Sequence, residues 1–152
     1  VAIQGGVGIL KGKILEAPRV GFINIHPGRL PQYRGASCPE WAVFNGDPVY
    51  ATAHFIDKGI DTGPVISASR YEICPQWSYE EFRANVYRHC ARVLLSAIKL
   101  LEQAGRKRAY RVAKKQPHDG ACSYQPMPAE NLEQVKKLFE MQSESNDVEL
   151  KK

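Results

Sequence analysis

No apolar run in the sequence approaches the ~20 residues that a bilayer-spanning helix needs. No basic-then-apolar leader with a small-residue cleavage site opens it either, so neither a membrane partner nor export is expected. Cysteine is sparse: Cys38, Cys74, Cys90 and Cys122 lie far apart and form no C-x-x-C pair. A chain of 152 residues with 43% hydrophobic content can bury a sizeable core without disulfide staples, which fits reduced thiols in a cytoplasmic setting. The cysteines and the four histidines show no ligand spacing, so no metal is expected. There is no internal repeat. Gly5-Gly6-Val7-Gly8 lacks the Walker lysine pattern and the full dinucleotide fingerprint, which leaves a turn with close backbone approach rather than a phosphate loop. No methionine precedes Val1, which opens inside an apolar strand pattern, and the chain is expected to be a piece of a longer protein.

What is present alternates between strand and helix signals. Val1 to Ile3 reads as a strand, followed by the glycine-rich turn and a short helix from Ile9 to Ala17 that Pro18 ends. Gly21 to His26 is a second apolar strand, suited to a buried parallel position and stopped by Pro27-Gly28. A long loop to Pro39 follows, and loops of that kind are functional or disordered. Pro39 then opens a short helix closed at Asn45-Gly46. Tyr50 to Ile56 and Val65 to Ile73 alternate as two strands of a hairpin-like return. Ser78-Tyr79-Glu80-Glu81 is a capping box that starts a helix carrying Phe82, Val86, Cys90, Val93, Ala97 and Leu101 at helical spacing, with Gly105 placed to end it. Arg106 to Lys115 reads as basic and extended, Leu132 to Phe139 as a short amphipathic helix, and 141–152 as a frayed polar tail. The pattern predicts an α/β fold with a partly parallel sheet flanked by helices and a late antiparallel strand pair. In such sheets ligands bind beyond the carboxyl ends of the strands.

Asn24 and His26 share one face of a strand at that end. From these two residues alone the default reading is a capping asparagine with a satisfied buried histidine, and a pair acting on one ligand is the alternative. Asp61-Thr62-Gly63 alone reads as a turn. His54, seven residues before Asp61, reads as a plain strand histidine with a place in the same pocket as the alternative, and Trp41 as core rather than a ligand platform. The run Arg106, Lys107, Arg108, Arg111, Lys114 and Lys115, in a chain of net charge +5, reads as a solvated strand edge that tilts any acceptor toward an anion.

The ordered conjunction is more specific than its parts. Asn24-Ile25-His26-Pro27, then Leu30-Pro31 with Tyr33-Arg34-Gly35, then Trp41 and Asn45-Gly46-Asp47, then Asp57-Lys58-Gly59-Ile60-Asp61-Thr62-Gly63, resembles the folate-dependent formyltransferases from about Val1 to Gly105. These include methionyl-tRNA formyltransferase, glycinamide ribonucleotide transformylase and the sugar-nucleotide N-formyltransferases. The resemblance implies a Rossmann-like formyltransferase sheet, and Asn24, His26 and Asp61 as the catalytic trio. It implies that Gly6, Val7, Gly8, Ile9 and Leu10 together with Asp57, Lys58, Gly59 and Ile60 enclose the pterin of 10-formyltetrahydrofolate. It places Leu30, Pro31, Tyr33, Arg34 and Gly35 on the loop facing the amine acceptor.

Such chemistry needs donors for charge developing on the formyl oxygen, which an Asn amide and an imidazole N–H supply, and a carboxylate to orient the imidazole and relay a proton. It requires no metal. The expected partners are folate and a small amine acceptor, an amino sugar nucleotide or an amino acid derivative, with a nucleic-acid partner not expected. Relatives carry a further βαβ portion before the segment that starts at Val1, so the chain is expected to lack it. The expected protein partner is a complementing N-terminal half that supplies that portion, or a second copy of the chain in a homo-oligomer. The expected layout is a catalytic domain over 1–115, an extension with a short helix over 116–140 and the tail over 141–152. A formyltetrahydrofolate hydrolase of the same architecture, and an inactive fragment that binds folate or a partner, remain as alternatives.

Overall fold

The computed structural model describes residues 1–6 and 8–149. Its elements run β1 (Ala2–Ile3), a 3-10 turn (Gly12–Glu16), β2 (Phe22–His26), β3 (Arg34–Gly35), α1 (Cys38–Phe44), β4 (Val49–Phe55) and β5 (Val65–Tyr71). They continue with α2 (Tyr79–Ala104), α3 (Ala109–Val112), β6 (Ser123–Tyr124) and α4 (Ala129–Glu149). A four-stranded sheet has the order β1-β2-β4-β5, and β3 pairs with β6 in a second sheet of two strands.

The α/β class with a partly parallel sheet is the one found. β1 runs parallel to β2, and β4 and β5 form the antiparallel hairpin. β2 is antiparallel to β4, with Asn24 opposite His54 and His26 opposite Thr52. Strand direction was not readable from β2 itself, because an apolar run buries equally well beside a neighbour of either direction. Alternation then sorts the side chains. Asn24, His26, Thr52 and His54 share one face of the sheet, while Ile23, Ala53 and Phe55 turn to the other.

α2 supplies cover for the sheet, lying against β2, β4 and β5. Its capping box forms as the sequence requires: Ser78 Oγ accepts from the Glu81 amide at 3.2 Å and Glu81 Oε2 accepts from the Ser78 amide at 2.8 Å. Phe82, Val86, Cys90, Val93, Ala97 and Leu101 are all buried, each large apolar side chain contributing about 1.5–3 kcal/mol by leaving water. The short α1 is tied to α2 through Glu40, only 2% exposed, whose carboxylate accepts from the Arg83 guanidinium and, at 3.2 Å, from the Tyr79 hydroxyl. Trp41 packs edge-on against Phe44 and is partly buried against the core.

Three segments differ from the expectations. The helix expected over Ile9 to Ala17 is a 3-10 turn with no buried residue, because Ile9 and Ile14 stay exposed and no apolar face is formed to hold a longer helix. The basic stretch is not extended. It turns after α2 into α3, where Ala109 is buried and Tyr110 lies 4.7 Å from the Phe55 ring. Only Lys114 pairs as a strand, exchanging two 2.8 Å backbone bonds with Val65. The last helix continues past Met141, where a frayed tail was expected, to Glu149, while residues 150–152 of that tail lie outside the described residues. Val135 and Phe139 anchor it, Phe139 lying 4.9 Å from Phe82. Among the described residues no helix is long and apolar enough to cross a membrane.

Candidate active site

At the carboxyl end of β2, the polar face of the sheet gathers Asn24, His26 and the cross-strand His54. Asn24 Nδ2 stands 3.4 Å from His54 Nε2. His26 and His54 are both buried, with ring centroids 6.5 Å apart. Each imidazole commits one nitrogen to a backbone carbonyl. His26 Nε2 donates to the Tyr33 carbonyl at 2.7 Å and His54 Nδ1 to the Phe55 carbonyl at 2.8 Å. A carbonyl only accepts, so these bonds place a proton on each of those nitrogens and turn the other nitrogen inward.

Both inward nitrogens face Asp61. Its Oδ2 lies 3.4 Å from His26 Nδ1 and its Oδ1 3.5 Å from His54 Nε2. The Gly35 amide donates to Oδ2 at 2.9 Å. The Asp61 backbone has φ +54°, a left-handed conformation that aspartate tolerates better than most residues. The preceding loop is braced by Asp57, whose Oδ1 accepts from the Gly59 amide at 3.0 Å and the Thr62 hydroxyl at 2.5 Å. Behind it, Gly63 approaches β4 so closely that a Cβ there would stand 1.8 Å from the Phe55 carbonyl oxygen.

Electrostatics follow from this burial. Desolvation pushes the His26 pKa below the ordinary imidazole value, against the opposing pull of Asp61. Burial raises the Asp61 carboxyl, but the His54 hydrogen bond, the His26 ring and the Gly35 amide outweigh it and bring it below its usual value. The resting site therefore sets an ionised Asp61 carboxylate beside a neutral His26 imidazole. Among the described residues no group of three or more His, Cys, Asp or Glu side chains could hold a metal ion.

Asn24 and Asp61 open onto a cleft of about 240 Å³. Of the residues assigned to the folate, Gly8, Ile9 and Leu10 line one wall and Asp57, Gly59 and Ile60 another, with Gln4, His54 and Ile56 completing the lining. Gly6 and Lys58 are not part of it, Val7 lies outside the described residues, and His26 sits behind the lining rather than in it. Ile9 is 68% and Ile60 58% exposed, an apolar surface that a ligand would cover.

The residues assigned to the acceptor loop are mostly held by protein groups. Tyr33 is buried, donates its hydroxyl to Asp47 Oδ2 at 2.5 Å and stacks on Tyr124 with centroids 4.9 Å apart. Pro31 is buried, Leu30 is half-buried and Arg34 is bonded to Gln116. Gly35 faces Asp61 directly.

Of the groups that meet Asp61, His54 was read from sequence as a plain strand histidine rather than a pocket residue, and Gln116 carried no expectation. A signal for His54 was available, since pairing the two strands to put their polar residues on one face brings it opposite Asn24. No comparable signal marked Gln116.

Residues 2–98 match the family model described as formyl transferase. Methionyl-tRNA formyltransferase of Deinococcus radiodurans is 39% identical over 95 residues, covering 62% of this chain and 30% of that protein. The chain spans about a third of the length of the curated relatives it matches. Among solved structures, phosphoribosylglycinamide formyltransferase from Bacillus halodurans superposes with TM-score 0.57 at 28% identity, over 67% of this chain and 54% of that one. The formyltransferase PseJ from Anoxybacillus kamchatkensis, solved with tetrahydrofolate and a UDP-linked formamido sugar, superposes with TM-score 0.64 at 22% identity, over 80% and 62%. The second likeness speaks for the fold.

Proposed function

As this chain belongs to the formyl transferase family, we propose that it supplies the folate-facing, catalytic part of an enzyme that moves a formyl group from 10-formyltetrahydrofolate to a primary amine. The observation that carries the reading is the convergence of Asn24, His54 and Asp61 on the floor of a cleft with exposed isoleucines at its sides, with His26 against Asp61 from behind. A cavity of about 150 Å³ accommodates a benzene ring, so a space of about 240 Å³ suits a two-ring pterin with the remainder of the folate outside. The polar lining of Asp57, Asp61 and backbone groups would fix its edge, and Ile9, Leu10 and Ile60 its faces.

The folate supplies the formyl group. Asn24, lining the cleft, donates its amide to the formyl oxygen as negative charge builds there, and one such donor is worth on the order of 100-fold in rate. Asp61, kept ionised, receives the proton that the attacking amine must lose, directly or through water, and passes it to the folate nitrogen as the bond from that nitrogen to the formyl carbon breaks and tetrahydrofolate leaves. His26 and His54 take up that proton's charge from behind, each able to share it with the carboxylate across its inward nitrogen.

For the acceptor we propose a primary amine on an amino sugar nucleotide or an amino acid derivative; the sequence relatives are named for methionyl-tRNA, which the test below includes. The cations Arg106, Lys107, Arg108, Arg111, Lys114 and Lys115 are exposed and lead into Gln116, which reaches Asp61. An acceptor that carries phosphate fits that rim. We also propose that residues 1–115 form the catalytic unit, with 116–140 as an extension and 141–152 as a tail. The test measures tetrahydrofolate release from 10-formyltetrahydrofolate in three arms: with an amino sugar nucleotide, with methionyl-tRNA and with no amine. Release that needs an amine supports transfer, and the arm that responds identifies the acceptor. Release in the amine-free arm at an equal rate refutes transfer in favour of hydrolysis, and no release in any arm refutes turnover.

A further inference from the structure

Gln116 lies beyond residues 2–98, on the segment that leaves α3 and leads to β6. Its side chain uses all of the bonding capacity of a carboxamide. Nε2 donates to the carbonyls of Asp61 and Gly63, both at 2.8 Å. Oε1 accepts from Arg34 Nε at 3.2 Å and from Arg34 Nη2 at 2.7 Å. One end therefore grips the backbone on either side of Thr62, where Asp61 takes its left-handed φ of +54°. The other end grips β3 next to Gly35, whose amide donates to the Asp61 carboxylate. We propose that Gln116 is a positioning residue that holds Asp61 at its working distance from His26 and His54, by locking the Asp61 backbone to the strand that bonds its carboxylate.

The side-chain chemistry is particular to glutamine. Glutamate would keep the Arg34 contact but turn two acceptors onto two carbonyls, and asparagine is a methylene short of spanning the gap. A non-glycine residue at positive φ costs on the order of 1 kcal/mol or more and persists where its surroundings over-determine it. Here the over-determination comes from Gln116 below and Gly35 beside. The segment from α3 to β6, the strap that carries Gln116, has independent anchors. β6 pairs with β3 through the Arg34 amide to the Cys122 carbonyl and the Ala36 amide to the Tyr124 carbonyl, both at 3.0 Å. Tyr124 stacks on Tyr33, and the Trp41 indole donates to the Gln125 carbonyl at 2.9 Å. Loss of Gln116 should release Asp61 without detaching the strap.

The role rests on Asp61 acting in the proposed transfer, so the experiment separates the two ideas. In the full-length natural protein, Gln116→Ala and Gln116→Glu are compared with the parent by amine-dependent kinetics, by NMR titration of the His26 and His54 rings, and by thermal unfolding. The expected result is a fall in kcat on the order of 10- to 100-fold in both variants, with KM for the folate and the unfolding midpoint nearly unchanged. The His26 ring should titrate at lower pH than in the parent, as the carboxylate that opposes its desolvation withdraws. An unchanged kcat, or unchanged ring titrations alongside a lowered unfolding midpoint, overturns the proposal and leaves Gln116 a structural tie. Should the parent protein show no transfer, the functional reading fails while the ring titrations still decide on Gln116: a shift upholds its hold on Asp61 and no shift removes it.

Discussion

Asn24 and His54 are cross-strand partners on β2 and β4, and the Asn24 amide nitrogen stands 3.4 Å from His54 Nε2. With His54 Nδ1 committed to the Phe55 carbonyl, the inward Nε2 stands 3.4 Å from the Asn24 amide nitrogen and 3.5 Å from Asp61 Oδ1. His54 is thereby the hinge between the donor at the cleft floor and the carboxylate beside it.

His54→Ala should lower amine-dependent turnover on the order of 10- to 100-fold by letting the Asn24 amide and the Asp61 carboxylate drift. His54→Gln, which can still offer a polar group toward both, should fall less. Steady-state kinetics of the two variants check this, and equal activity of His54→Ala and the parent would refute it.

Within the trio, Asn24→Ala should cost on the order of 100-fold in turnover through loss of one donor to the formyl oxygen. His26→Ala and Asp61→Asn should each abolish turnover while leaving folate binding nearly intact, since His26 lies behind the cleft lining and the asparagine keeps the shape of the wall. Kinetics paired with equilibrium folate titration separate the effects. Turnover at the parental rate in either variant removes that residue from the mechanism.

Acid should weaken the fold in two stages. His26 has a depressed folded pKa, so the unfolded chain binds the proton more readily and stability begins to fall below about pH 6.5, the unfolded histidine value. Asp61 is also depressed, so its contribution is present above about pH 3.9 and is lost as pH drops through its folded pKa. Both slopes have the same sign: stability rises with pH. Urea midpoints measured from pH 8 to pH 5 should decline, and His26→Gln should flatten that decline.

Gly35→Ala should destabilise by about 1–3 kcal/mol. Gly35 holds φ +91°, and an added Cβ would stand 2.2 Å from the Tyr124 carbonyl oxygen, forcing β6 away from β3. Because the Gly35 amide also donates to Asp61, turnover should fall further than the stability loss alone explains. Urea unfolding and kinetics on the same sample test both parts.

Legibility differed from element to element. β2 was readable because Pro27 stops it and Phe22, Ile23 and Ile25 crowd into one short stretch, and α2 because Ser78, Glu81 and the buried stripe obey one local period. The stretch 106–115 misled because its cations hide Ala109 and Tyr110, the two residues that anchor α3. β3 and β6 were invisible, since each is a two-residue strand whose only reason to be extended is the other.

By itself the sequence determined the chemical types at the site, the ends of the main elements, and the shared face of Asn24 and His26, because caps, breakers and side-chain alternation act within a few residues of chain. Only the tertiary structure decided who meets Asp61. His54 reaches Asn24 across 30 positions through strand register, and Gln116 reaches the Asp61 carbonyl across 55 through the path of the strap. Contacts over such separations depend on how whole elements pack, and no local pattern encodes them.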